Sequence, residues 1–214
     1  MKLIKPSIPN DLYDVEDIRK TLLKDESLSE LWFSKQDLSG AKIKSLSLSE
    51  SKLNGVNLSQ AKLEKTTFQD IEIKDCSLVA TDFTDSGWQS LEVIESRCSG
   101  AQFQMCSLEN VQFKSCKLDI ANFRFAKLKN VIFRDCLISD TDFYNAELTN
   151  VHFDKCNIEK IEFSGTKNKN LDLRSSQLGS IHGSGSLKGA IIDQMQLMQL
   201  APYLAQEIGL TIKD

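Results

Sequence analysis

The chain has 214 residues, 41% of them apolar and 26% charged, and a formal net charge of −4. That length can bury one sizeable core, and the composition excludes a disordered polyelectrolyte. The 30 acidic residues outnumber the 26 basic ones, which excludes the basic excess of a general nucleic-acid binder. No run approaches the roughly 18 apolar residues that span a bilayer. The opening MKLIKPSIPNDL has no apolar stretch of a secretory signal. The two histidines leave little for His-based acid–base chemistry or a multi-His metal site. The expectation is a cytoplasmic protein with no membrane partner, no direct nucleic-acid contact, no cofactor and no metal.

Residues 1–27 stand apart from the pattern that follows. Within NDLYDVEDIRKTLLKDES, Asn10 suits a helix N-cap, and Leu12, Val15, Ile18 and Leu22 recur at helical spacing. They predict a helical segment that covers the end of the next region.

From Phe33 to Leu178 every fifth residue is apolar, with Asn168 the one polar exception. Ten of the 11 phenylalanines share this phase, and Phe125 is the one outside it. Two residues before each centre lie small or apolar residues such as Ala61, Cys76, Ala101, Cys116 and Val131. A period of five fits neither a helix at 3.6 nor a strand at 2.0. A chain that turns a corner every five residues satisfies it, because each short side then points its centre inward. Four sides close a square coil of about 20 residues, and stacked coils pair at about 4.8 Å. Pro is missing between residues 10 and 201, as expected where every side must donate to the next coil. The fold class is therefore an all-β solenoid, a quadrilateral β-helix over residues 28–192, about 36 Å long.

The 20-residue register has consequences. From 103 to 163 the centres alternate Phe with Leu or Ile, so opposite sides carry the rings. Asn110, Asn130, Asn150 and Asn170 share one corner and predict an Asn ladder. Cys116, Cys136 and Cys156 share one inner column, a coil apart and without any CxxC. They read as reduced wall residues rather than a metal or redox site.

The segments GAKIKSLSLSESKLNGVNLSQAKL and TDFYNAELTNVHFDKCNI carry a loose A(D/N)Lxx pattern. In them the chain resembles the pentapeptide-repeat family, over about 150 residues. The resemblance implies a right-handed coil.

The phase breaks after Leu178. IHGSGSLKGA carries Gly183, Gly185 and Gly189, and the centres Leu187 and Ile192 are shifted by one. Residues 193–214 predict a helix with Asp193 as N-cap and Gly209 at its end. Leu197, Leu200, Leu204 and Ile208 form its stripe, and Pro202 should kink or divide it. The tail is too apolar to cover one coil end and nothing more. It predicts a homodimer, two rods meeting tail to tail with two-fold symmetry.

The surface offers no phosphate loop, HExxH, GxSxG or paired Cys/His site. Its charge is banded. Residues 70–95 hold Asp70, Glu72, Asp75, Asp82, Asp85, Glu92 and Glu95 against Lys74, and residues 114–134 carry a net of +5. Over residues 33–183 the 19 basic and 20 acidic residues nearly cancel. Met105 and Phe125 occupy equivalent outward corners, with Tyr144 beside them and Ile120, Ile132 and Leu137 nearby. Such a patch marks a partner site. The uninterrupted coil and the ending LKGAIID…Q…LA…IGLTI also resemble the Qnr and MfpA quinolone-resistance subgroup. That resemblance implies dimeric rods acting on DNA gyrase and topoisomerase IV as partial DNA mimics. The subgroup's long surface loops have no counterpart here. The expected function is a non-enzymatic interaction rod, with a type II topoisomerase as partner; the alternative is a scaffold with another protein partner.

Overall fold

The computed structural model describes residues 3–22 and 27–211. The corners set the coil. Among the described residues, all 26 non-glycine residues of positive φ, from Glu30 to Ser175, carry numbers divisible by five, and their φ lies between 48° and 68°. Gly40, Gly55, Gly100 and Gly165 fill further corners. A left-handed corner costs a non-glycine residue about 1–2 kcal/mol. The turn is held by a bond to the next coil: Ala80 N–H donates to Ser99 O at 2.8 Å, and Phe125 N–H to Tyr144 O at 3.0 Å.

Between corners the backbone runs as parallel strands. Six eight-residue strands, from Ser47–Asn54 to Glu147–Asp154, stack in a 20-residue register that pairs Val111 with Val131 and Phe113 with Phe133. Each strand bends round one corner and so serves two faces. The first face buries the column Phe33 to Leu173, eight centres 20 apart. The second buries Leu38 to Leu178, the third Ile43 to Phe163, and the fourth begins at Leu48 and ends at the half-buried Asn168.

The predicted rings fill the interior. Phe103, Phe123 and Phe143 stack on the third face at 4.7 and 4.8 Å, planes within 9°. Phe113, Phe133 and Phe153 do the same on the first face at 5.2 and 4.8 Å. Across the coil the two stacks meet edge to face at about 6 Å, as with Phe123 and Phe133. Both are favoured arrangements of aromatic quadrupoles. The Asn ladder is also present: Asn130, Asn150 and Asn170 side-chain N–H groups donate to Asn110, Asn130 and Asn150 at 3.3, 3.0 and 2.8 Å.

The small inner phase holds more than apolar residues. Thr81, Ser86, Thr141 and Ser176 are buried there, each hydroxyl donating to a carbonyl 23 residues earlier. Five thiols do the same: Cys106 reaches Phe83 O at 2.9 Å, and Cys76, Cys116, Cys136 and Cys156 reach theirs at 3.3–3.5 Å. All six cysteines are free and buried. Burial pushes the Cys76 thiol up to about 11 and Cys106 to about 12.

The N-terminal segment departs from the helix expected from Asn10. Among the described residues helix α1 covers Ile18–Leu22, and the side chains of Ile18 and Leu22 lie outside the described residues. Tyr13–Asp14 instead forms a parallel bridge to Leu31–Trp32, and the buried Val15 donates its N–H to Trp32 O at 3.1 Å. The reason is the first coil's open edge: its unpaired backbone groups claim the segment as a strand. Residues 3–9 then run along the first face, where Ser7 N–H donates to Asp70 Oδ1 at 3.0 Å and Lys5 pairs with Glu92 at 3.5 Å.

The C-terminal coil is closed by helix α2, Gln194–Glu207, whose N-cap Asp193 forms a capping box with Gln196. Gln196 is itself buried and donates its amide to Leu173 O and Ser176 O, taking the place of a next coil. Gly209 ends the helix at φ 79°, with Gly209 N–H bound to Gln206 O and Leu210 N–H to Ala205 O. That is a Schellman closure. Pro202 does not divide α2, which continues through it as one helix.

Two measurements check this account. Phe123→Ala should lower unfolding stability by about 3–5 kcal/mol in urea. Phe125→Asn, outside the column and at a corner that Asn tolerates, should stay within about 0.5 kcal/mol. The second is alkaline stability. An unfolded thiol ionises near about 8.5, while folded Cys106 keeps its proton to about 12. Above the lower value the unfolded chain binds fewer protons, so stability falls as pH rises through this window. Between about pH 8.5 and 10.5 the melting temperature should therefore drop more steeply in the parent chain than in Cys106→Ala.

Candidate functional site

The coil register divides the acidic band. Glu72 and Glu92 are paired neighbours on the first face. Asp75 and Glu95 hold successive corners at one edge of that face, and Asp70 a corner at the other. Asp82 and Asp85 belong to the opposite, third face, where Asp82 bridges Gln102. The seven acids are therefore not one surface, because 26 consecutive residues exceed one coil. The five on the first face are also crossed by the N-terminal strap through Asp70 and Glu92.

The same face carries a shallow groove of about 340 Å³ lined by Ile132, Arg134, His152, Asp154, Asp172 and Arg174. Asp172 is 8% exposed and grips Arg174 twice, at 3.0 and 2.7 Å. That guanidinium holds the Asp172 carboxyl below its ordinary range. Arg134 pairs with Asp154 at 2.8 Å. His152 Nδ1 stands 3.7 Å from Asp172, and burial lowers its pKa below the ordinary histidine value against the opposing pull of Asp172. Ser175 Oγ is turned to Asp154 at 3.0 Å, not to His152. The charges here satisfy one another, and no nucleophile is aimed at a base. Asp172 escaped the sequence reading, because the outward phase gives no sign of burial.

The third face holds the apolar patch. Met105 and Phe125 stand one coil apart at the same edge, and their N–H groups donate to Arg124 O and Tyr144 O. Ile120 holds the corner at the other edge. These three are 58%, 49% and 64% exposed. They are also the three large apolar residues among the left-handed corners, where Ala80 is the one other apolar side chain. For a β-branched residue such as Ile120 that backbone is a true outlier. Tyr144 meets Phe125 edge on at 5.9 Å. Arg124 lies 4.6 Å over the Tyr144 ring while pairing with Asp142 at 3.2 Å. Leu137 is exposed but sits on the second face, and Ile132 is buried in the groove of the first, so neither belongs to the patch.

The predicted stripe of α2 is split. Leu200 is 2% exposed and, with Leu204, packs on the last coil. Both serve the cap, because the coil end draws that side of the helix onto itself. Leu197 and Ile208 face outward, joined by Met195 and Met198, all at least 50% exposed. Ala201 and Pro202 are exposed as well, and Glu207 is the one charged residue of α2.

Among the described residues no three His, Cys, Asp or Glu side chains converge as a metal site. Among the described residues no helix is long and apolar enough to cross a membrane.

Models of the pentapeptide repeats (eight copies) and of the pentapeptide repeat region match residues 33–70 and 106–182, together more than half of the chain. No curated protein matches it in sequence. Among solved structures it is similar to trypsin-treated QnrB1, described as a plasmid-mediated fluoroquinolone resistance protein. There the identity is 19%, the TM-score 0.41, and the cover 88% of this chain and 92% of that one. It is similar also to HetL, described as involved in heterocyst differentiation regulation in the cyanobacterium Nostoc. That match has 15% identity, a TM-score of 0.41, and covers 85% of this chain and 98% of that one. With its five-residue period, its stacked core and both models in agreement, the chain belongs to the pentapeptide-repeat family.

Proposed function

We propose that this chain is a non-enzymatic protein-interaction rod that acts as a homodimer joined through α2. The carrying observation is the placement of its exposed large apolar side chains. Seven of them gather at two spots, Met105, Ile120 and Phe125 on the third face and Met195, Leu197, Met198 and Ile208 on the outer side of α2, while Ile4, Tyr13, Trp32, Leu137 and Ile191 stand apart. An apolar helix face without charge is what a self-complementary two-fold contact requires. The six free buried thiols accord with a reducing compartment such as the cytoplasm. Sedimentation at micromolar concentration should give a dimer, and Met198→Glu with Leu197→Glu should give a folded monomer. A monomeric parent chain overturns the dimer.

A second reading is favoured by one observation: Asp70, Glu72, Asp75, Glu92 and Glu95 share the first face and its edges. On that reading the rod binds a type II topoisomerase as a partial DNA mimic and protects it from fluoroquinolones. Purified gyrase should then lose supercoiling activity, or gain drug tolerance, on addition of the rod. Glu72→Lys with Glu92→Lys should weaken the effect at least several-fold. No effect at stoichiometric excess sinks this reading and leaves a scaffold with a different protein partner.

A further inference from the structure

The third face has a charge pattern of its own. Asp82 and Asp85 lie on its N-terminal side of the patch, and Asp140, Asp142 and Glu162 on its C-terminal side. Between them lie Met105, Ile120 and Phe125 among uncharged residues such as Gln102 and Asn122. Of the cations between Asp82 and Glu162 on this face, Arg124 is held by Asp142 and the Tyr144 ring and Lys160 stands at the far corner, while Lys62 and Lys65 lie one coil beyond Asp82 and Asp85, and Lys42 and Lys44 a coil further. The four-coil stretch from Asp82 to Glu162 is thus apolar in the middle with acids flanking it on both sides, and the face turns basic beyond Asp82.

We infer that this face docks an amphipathic helix with apolar anchors in its middle and Lys or Arg at both ends. The inference rests on the interaction-rod reading and is independent of the dimer and of the topoisomerase. Three features favour a helix. Every strand of the face is paired on both sides along the bridge series from Asp82 to Glu162, so strand addition has no edge to use. The coil rise of about 4.8 Å is close to the helical pitch of about 5.4 Å, so anchors one turn apart fall over Met105 and Phe125. The acidic ends, from Asp82 to Glu162, are four coils apart, about 19 Å, which a helix of about 13 residues spans. Holding bulky apolar residues at left-handed corners gives the coil little packing in return: Met105 and Ile120 are 58% and 64% exposed, and Phe125, beyond its edge-on contact with Tyr144, is 49% exposed. Their contribution must come from outside the chain.

The probe is a fluorescein-labelled synthetic helix of about 14 residues with Leu and Phe one turn apart in its middle and lysines at both ends. Its partner peptide carries glutamates at the ends. Anisotropy is read against the full-length protein at low and moderate salt. The lysine peptide should bind at least ten-fold tighter than the glutamate one, and less tightly as salt rises. Phe125→Asn and Ile120→Asn should weaken it at least ten-fold while the melting temperature holds or rises, which a purely structural role would not produce. Asp82→Asn with Glu162→Gln should weaken it several-fold and flatten the salt dependence. Equal binding of the two peptides, or indifference to Phe125→Asn, overturns the inference. So does loss of binding on Glu72→Gln with Glu92→Gln instead, an outcome that moves the helix to the first face and leaves the interaction-rod reading intact.

Discussion

One bond governs this molecule: the hydrogen bond from a backbone N–H on one coil to a carbonyl on the adjacent coil, 19 residues on or 21 back. It forces a left-handed corner at every fifth residue, and each corner carries strain. The strain is tolerable because the bond and the buried centre beside it are made together. A proline anywhere in the ladder would remove a donor and open two coils. The same bond turns sequence spacing into distance. Residues 20 apart lie about 4.8 Å apart, which is near the natural separation of stacked rings. That is why Phe can repeat on two opposite faces without leaving voids.

A ladder that builds itself must also stop. The first coil is stopped by a strand, Tyr13–Asp14 with Val15, and the last by one amide, that of Gln196. The difference decides what is left for the exterior. A strand spends its backbone on the edge and then leaves along the first face, covering part of the acidic surface through Ser7 and Lys5. A helix covers the edge with one side, Gln196, Leu200 and Leu204, and necessarily presents the other. The apolar outer side of α2 is thus separate from capping, and its composition reflects a second demand.

The interior was legible because a period is a direct record of geometry. Phe103 to Phe163, the Asn ladder and the buried thiols all follow from position within 20. Asp193 as the N-cap of α2 was legible as local chemistry, though its reciprocal bond with Gln196 was not read. Two kinds of feature were not. Leu12, Val15, Ile18 and Leu22 have helical spacing, yet residues 13–15 pair as strand, because an open sheet edge outweighs a weak local preference. The burial of Thr81 and Asp172 was hidden too, since polar residues enter this wall wherever a carbonyl or an arginine waits for them. The acidic band misled in a further way. Closeness along the chain is not closeness on the surface when the chain circles the rod, so Asp82 and Asp85 part from Glu72 and Glu92.

That last point bears on how such a rod recognises anything. Its backbone leaves little room to shape a cleft, and its loops are short. What varies is which residue occupies each outward position of a fixed lattice, with coils about 4.8 Å apart in one direction and four faces in the other. Recognition must then be written as a pattern of charge and apolar surface on one face, not as a pocket. A corner is the most informative position in that lattice. It projects furthest, and the coil itself favours Gly, Asn or Asp there. A corner filled with Ile120 or Phe125 works against both the backbone and the solvent. Where the fold gains nothing from a residue, and the solvent opposes it, the residue's contribution has to be sought in what touches the surface.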